Sequence, residues 1–411
     1  MKILHTADWH LNERLGRIPR QKDIADRLRE IAFYLDEYEV DVMIVAGDLF
    51  SRFMRYDELE NAFKDAHDIF KPFLLRGGTI LAISGNHDTE ALFSILRLAN
   101  DLASPIDPSQ QGPRPNGRLY LAPEPAVIPL IDKTGLPVQF VLMPYPTPET
   151  YLDGQSKFKS LDERNRILQQ KFAQRLRDIQ SNRDVFDLTK RSVLITHIYV
   201  RGVEVNAESR RELSEAEEVP FNLNDMPTGW DYVACGHIHR PQMIGNMPHV
   251  RYAGSVERLD AGESQDEKSV VLLEIGPSGC TTKPQILPLH ATPIYHVEIE
   301  NPETELPHMK ERYPNHEQAI VSCHMTYTPG GVYSPDDILR TVEQIFPRIY
   351  REHLENTAAI YTSSNLEHDF SFLNVPGTVI HYLETQLKED PDRDEILALA
   401  AEMLANKGSV Q

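Results

Sequence analysis

Apolar residues in the first hundred positions fall into two alternating patterns. Residues 2–6, 40–46 and 79–84 are short, nearly continuous apolar runs, as expected of strands buried in a sheet. Between them, residues 21–39 and 57–75 read as helices, and residues 90–102 continue as a third. This alternation predicts an α/β fold with crossover connections. Residues 104–117 hold Pro105, Pro108, Gly112, Pro113, Pro115 and Gly117 and read as a loop. Beyond it, residues 126–130, 138–143, 192–196, 232–235, 250–253 and 269–275 read as strands, with a helix over 162–182 and a polar, irregular stretch over 200–228. That second half is too rich in strands for a simple doubly wound sheet, so two sheets packed between helix layers are expected. Near 288–293 the pattern restarts as a small α+β module, with strands at 295–299, 319–325 and 348–353 and a helix at 335–345. A tail follows, with Phe370, Phe372 and Leu373 and helices over 378–387 and 393–405.

Polar residues cluster where five of these strands run out: Asp8-Trp9-His10, Gly47-Asp48, Gly85-Asn86-His87-Asp88, Thr196-His197 and Gly236-His237-Ile238-His239. Open α/β sheets gather ligands outside the carboxyl ends of their strands. Five such ends carrying ligand-type side chains predict one metal site assembled from distant parts of the chain. Two divalent ions about 3.5–4 Å apart can hold a phosphodiester in line and stabilise both its attacking and leaving oxygens. Such a pair needs a bridging carboxylate, for which Asp48 is the natural choice. Asp8 with His10 and His237 with His239 are each two apart at a strand end, and Asn86 and His197 complete a set of seven. The mixture of oxygen and imidazole nitrogen suits Mn²⁺, Fe²⁺ or Zn²⁺ better than an all-oxygen Mg²⁺ or Ca²⁺ site.

Length and charge narrow the picture. The 411 residues allow two or three domains, and 41% hydrophobic with 25% charged residues is an ordinary globular balance. A net charge of −20 argues against a chain that coats nucleic acid through a global basic surface. A local basic rim remains open: Arg14, Arg17, Arg20 and Lys22 follow the first motif, and the alternative for them is a solvated loop and helix start. Arg164, Arg166, Lys171, Arg175 and Arg177 alternate with Leu168, Phe172, Leu176 and Ile179 at helical spacing, which favours an amphipathic surface helix. No apolar run approaches the roughly 18 residues that span a bilayer. The amino terminus leads straight into a strand with no room for a signal peptide. Cys235, Cys280 and Cys323 suggest no disulfide framework and fit a reducing cytoplasm.

The ordered set of motifs resembles the calcineurin-like metallophosphoesterase superfamily and, within it, the SbcD family of nuclease subunits. The likeness extends to residues 2–11, 232–241 and 249–255, and covers about residues 1–289. It implies a two-sheet metallophosphoesterase sandwich over 1–289, a DNA-capping α+β domain over 290–364 and a helical, ATPase-binding tail over 365–411. Asp8, His10, Asp48 and His239 would hold one ion, and Asp48, Asn86, His197 and His237 the other, most readily Mn²⁺. His87 matches the family's catalytic histidine, which contacts the scissile phosphate and assists the leaving group. Asp88 would orient His87 or cap the next helix. Ser51 departs from the pattern, because relatives carry histidine or an acidic residue there, beside the substrate path; Arg14 and Arg17 are further candidates for that path. The resemblance implies DNA as substrate, double-strand exonuclease and single-strand or hairpin endonuclease activity, and a homodimer within a heterotetramer with an SbcC-type coiled-coil ATPase.

Leu59, Phe63, Phe70, Phe93 and Leu96 are candidates for the dimer face or the core. Trp9 and Trp230 pack beside the site or, less simply, stack on bases. Phe370, Phe372, Tyr382 and Leu387 would dock on the ATPase or fold back on the parent domain. Two other functions compete: a free-standing phosphoesterase acting on phosphoproteins or nucleotides, and a weakly active scaffold that dimerises and regulates the ATPase. Gly-Asn-His-Asp in place of the Gly-Asn-His-Glu of protein phosphatases, with the added module and tail, disfavours the first. The full ligand set with His87 disfavours the second, although Ser51 keeps it open.

Overall fold

The computed structural model describes residues 1–52, 56–106, 112–152, 154, 157–205, 218–222, 228–356, 393 and 396–400. They divide into two compact units, one of residues 1–297, 310–322 and 343–351, the other of 298–309, 323–342 and 352 onward.

The strands, in chain order, are β1 Lys2–Thr6, β2 Arg14–Leu15, β3 Ile18–Pro19, β4 Val42–Val45, β5 Thr79–Ile83, β6 Leu119–Ala122, β7 Ala126–Ile131, β8 Pro137–Met143, β9 Arg191–His197 and β10 Tyr199–Val200. They continue with β11 Pro220–Phe221, β12 Tyr232–Gly236, β13 Gln242–Ile244, β14 Met247–Tyr252, β15 Ser269–Gly276, β16 Gly279–Cys280, β17 Gln285–Pro288, β18 Ile294–Ile299, β19 Ile320–Tyr327 and β20 Ile349–Asn356. Helices α1 Gln21–Glu37, α2 Tyr56–Leu75 and α3 Glu90–Ala103 fill the first crossovers, and a long helix runs over Leu161–Ser181.

One sheet runs β16-β15-β1-β4-β5-β6, with β17 on β15, and a second runs β13-β14-β12-β9-β8-β7. Within them β1, β4, β5 and β6 are parallel neighbours, as are β8, β9, β12 and β14. Alternation along each strand divides its side chains between two cores. Ile3, Ile44, Leu81 and Ile83 meet Phe140, Leu142, Val193 and Ile195 between the sheets. Leu4, Met43 and Ala82 face Leu28, Leu35, Phe73 and Phe93 of the flanking helices. On the far side, Val141, Leu194 and Val233 pack on Leu168, Phe172 and Leu176. The result is the expected layering of helices, two sheets and helices. Strands buried on both faces explain the continuous apolar runs in the sequence.

Several differences from the sequence reading have local causes. Leu119–Ala122 follows the proline-rich loop and alternates too briefly to register, yet it is the parallel neighbour of β5. The candidate basic rim is partly the β2–β3 hairpin, and Arg20 is fully buried against Asp23, Glu257 and the carbonyl of Arg258. Arg20 therefore holds the fold and is withdrawn from the rim. Both tryptophans are core residues: Trp9 stacks on Phe70 at 5.2 Å and donates to Thr6 Oγ1, and Trp230 meets Phe186 edge-on. Base stacking is excluded for each. In the small module, β18, β19 and β20 form a three-stranded sheet with β19 central. The described cysteines are free. Phe370, Phe372, Tyr382, Leu387 and the helix expected over 378–387 lie outside the described residues; of that over 393–405, residue 393 and residues 396–400 are described and helical.

Candidate metal centre

The parallel strands bring their carboxyl ends together, and the chain turns sharply at each. Asp8, His10, Asp48 and His237 all adopt positive φ, at 51°, 45°, 51° and 99°. Such backbone costs an L-residue of order 1–3 kcal/mol and persists only where surroundings impose it. Here backbone hydrogen bonds impose it: Asp8 N–H donates to the Gly47 carbonyl, His10 N–H to that of Asp48 and Leu11 N–H to that of Leu49, at 2.8–3.0 Å. Close approach demands glycine at Gly85, where a Cβ would collide with the Asp48 carboxylate.

All seven expected ligand residues meet here. Asn86 Oδ1 lies 2.9 Å from both His197 Nε2 and His237 Nδ1. Asp48 Oδ2 is 3.3 Å from His197 Nε2 and 3.5 Å from His10 Nε2, so it stands between the two groups. Asp8, His10 and His239 bring one ligand atom each within 4.8 Å of one another, and so do Asp8, Asp48 and His197. His87 adjoins them: its ring centroid is 4.8 Å from that of His10, and its backbone N–H donates to Asp48 Oδ1 at 2.8 Å.

The donor set fits divalent cations on a specific observation. His10 is buried, and neither of its ring nitrogens has a hydrogen-bond partner. A buried, unsatisfied imidazole is costly in itself, whereas a lone pair aimed at a cation resolves the cost. Burial holds His10 well below the usual imidazole range and also lowers His87, with Asp48 opposing both shifts. Burial works against ionisation of Asp48, but the charge and hydrogen bond of His197 together with the charges of His10 and His87 outweigh it and keep the carboxyl well below its ordinary value. Burial raises Asp8.

The surroundings hold residues that no motif announced. His239 Nδ1 pairs with Glu263 Oε1 at 2.8 Å, and fully buried Glu263 accepts from Lys268 Nζ at 2.5 Å. Despite burial, Glu263 raises His239 to about 9. His237 Nε2 lies 3.1 Å from Glu218 without hydrogen-bond geometry, and Glu218 accepts from the Tyr145 hydroxyl. Neither carboxylate sits in a run that marks it; only the folded chain places them.

Asp88 departs from both expected roles. It accepts from the backbone N–H groups of Gly85, Leu49 and Phe50, fastening the Asp48 loop to the Asn86 turn. The first turn of α3 instead begins at Thr89, without a side-chain cap. Burial and the neighbouring Asp48 push the Asp88 carboxyl up to about 7.

A cleft of about 980 Å³ opens over the centre, lined by Asp48, Asn86, His87, His237 and His239 and by Arg14, Arg52, Arg164 and Arg240. Ser51 also lines it, its hydroxyl donating to Glu13 Oε2 at 2.5 Å. Arg17 is exposed and does not line the cleft. Arg164, read from sequence as part of a surface helix, does, while Leu168, Phe172, Leu176 and Ile179 of that helix are buried as expected.

Residues 1–241 match the calcineurin-like phosphoesterase family. The chain is 26% identical over 302 residues to the SbcD component of the SbcCD nuclease of Bacillus subtilis, covering 70% of this chain and 69% of that one. It is 25% identical over 280 residues to the SbcD component of Escherichia coli K12, covering 66% and 64%, and 26% identical over 276 residues to that of Staphylococcus epidermidis, covering 67% and 66%. The matches thus span about two thirds of each relative. Among the described residues, no helix is long and apolar enough to cross a membrane.

Proposed function

Because this chain belongs to the calcineurin-like phosphoesterase family, we propose that its strand-end centre hydrolyses the phosphodiester bonds of DNA. In this reading it is the Mn²⁺-dependent component of a nuclease that works with an SbcC-type ATPase in DNA end processing and repair, as a double-strand exonuclease and a hairpin endonuclease. The observation that carries it is the convergence of seven ligand-type side chains and His87 on one cleft whose wall includes Arg14, Arg52, Arg164 and Arg240. Guanidinium groups match phosphate oxygens in charge and geometry. The relatives are named as nuclease subunits, which favours a nucleic acid over phosphoproteins.

Asp8, His10, Asp48 and His239 would hold one ion, and Asp48, Asn86, His197 and His237 the second. Two such ions, when bound, supply the positive charge that draws a phosphodiester into line and offsets charge on its oxygens. The histidines are held in tautomers suited to this task. His197 Nδ1–H donates to the Ala46 carbonyl at 2.7 Å, which leaves Nε2 facing Asp48 and Asn86. Nδ1–H of His239 donates to Glu263 Oε1, which would leave Nε2 for the centre, and Nδ1 of His237 faces Asn86 Oδ1. Such partners fix ring orientation and raise ligand basicity. His87, whose backbone N–H donates to Asp48, would meet the scissile phosphate and protonate the leaving oxygen.

The capping role of residues 290–364, the ATPase-binding role of residues 365–411 and a homodimer belong to the same proposal. For the dimer, α3 offers Ile95, Leu98 and Leu102, each more than half exposed. The residues expected from sequence at that face pack inward: Phe70 and Phe93 are buried, and Leu59, Phe63 and Leu96 pack against the same core.

The test is cleavage of linear duplex and hairpin DNA by the purified chain with Mn²⁺, with and without the ATPase. His87→Ala is expected to abolish cleavage while two ions still bind. Wild-type cleavage by that variant would overturn the role of His87. Hydrolysis of phosphopeptides or nucleotides without any cleavage of DNA would overturn the substrate.

A further inference from the structure

A second group of ligand-type side chains lies on the small three-stranded sheet and includes none of the residues of the strand-end centre. His324 is on the central strand β19, and His353 and Glu355 are on its neighbour β20. Residues two apart in a strand project from the same face, so His353 and Glu355 point the same way. His324 joins them across the strand pair: its Nε2 is 3.4 Å from Glu355 Oε2, and its ring lies 5.0 Å from that of His353 at 36°. One ligand atom from each of the three residues falls within 4.8 Å of the other two. Cys323 and Met325, on either side of His324, are buried, so the backbone that presents the cluster is anchored from behind.

The chemistry selects the ion. Zinc binds imidazole nitrogen and carboxylate oxygen at about 2.0–2.2 Å, and a tetrahedral arrangement then puts neighbouring ligand atoms roughly 3.4 Å apart. His324 and Glu355 already stand at that separation, and His353 needs only a side-chain adjustment to complete a third vertex. Two imidazoles and one carboxylate suit a borderline cation and not Ca²⁺ or Mg²⁺, which favour all-oxygen shells. We propose that His324, His353 and Glu355 form a Zn²⁺ site whose fourth position is open to water or to a donor from another molecule. An ion there ties β20, an edge strand of this sheet, to β19.

The proposal is independent of the nuclease reading, and its test keeps the two apart. Zinc bound by the full chain is counted by equilibrium dialysis with metal analysis, in the wild type, in H324A/H353A and in D48A. The expected result is one zinc fewer in H324A/H353A with Mn²⁺ binding at the strand-end centre retained. D48A should keep the zinc that H324A/H353A loses. Co²⁺ added to D48A should give the visible absorption of a four-coordinate nitrogen and oxygen site, absent once His324 and His353 are also replaced. All three residues are at least partly exposed, so the substitutions spare the core. Equal zinc counts and affinities in the wild type and H324A/H353A would overturn the site and leave His324 and Glu355 as a cross-strand pair.

Discussion

Replacing Glu263 by glutamine keeps its shape and removes the charge facing both His239 and Lys268. Loss of the carboxylate behind a ligating histidine typically weakens metal binding about 10–100-fold. It also leaves Lys268, fully buried at its side chain, without its closest counter-charge, a change that costs about 3–5 kcal/mol in comparable buried pairs. Glu263→Gln should therefore lower both Mn²⁺ affinity, read by titration calorimetry, and the urea midpoint. Glu263→Gln with Lys268→Met should recover stability without recovering affinity; recovery of both would show that Glu263 serves folding alone. The seven candidate ligands and His87 were legible because each follows an apolar run in a fixed order. Glu263 and Glu218 were not, because a carboxylate that orients a histidine needs only proximity in space. Asp88 was visible as a motif residue, but its bonds to Gly85, Leu49 and Phe50 depend on two loops meeting.

Helix α3 shows the same limit at the level of an element. Its apolar residues cover a wide arc beside a polar stripe of Glu90, Ser94, Arg97 and Asp101, with Leu92, Phe93 and Leu96 on one side of the arc and Ile95, Leu98 and Leu102 on the other. Periodicity alone leaves open which stripe meets the core. The structure buries Phe93 fully and leaves Leu98 at 57% and Leu102 at 85% exposure. A contiguous exposed apolar stripe of this kind marks an association surface. If the proposed dimer forms through α3, Leu98→Glu with Leu102→Glu should convert it to a monomer in light scattering, with the fold retained by circular dichroism. An unchanged mass would rule this helix out as the interface. The hairpin β2–β3 and strand β6 escaped the sequence reading for a related reason: each is short, and pairing rather than pattern defines it.

For the whole molecule, the net charge of −20 and the proposed DNA substrate are reconciled by position. Arg14, Arg52, Arg164 and Arg240 line the cleft beside Glu13, Asp48, Glu218 and Asp260, so guanidinium groups offset the carboxylates there and two bound cations would turn the local field positive. With His87→Ala used to prevent cleavage, DNA affinity should fall with salt. Arg164→Ala and Arg240→Ala should each reduce the slope of log affinity against log salt by about 1. A slope unchanged in both variants would place the DNA elsewhere. The sequence by itself determined the layered α/β architecture and the identity of the strand-end residues, because burial on both faces and turn chemistry are local properties written in consecutive positions. Only the tertiary structure decided that Arg20 is a buried tie while Arg164 faces the cleft, that Glu263 stands behind His239, and that His324 meets His353 and Glu355. Those outcomes depend on which strands become neighbours, and pairing distances between remote residues leave no periodic trace in the chain.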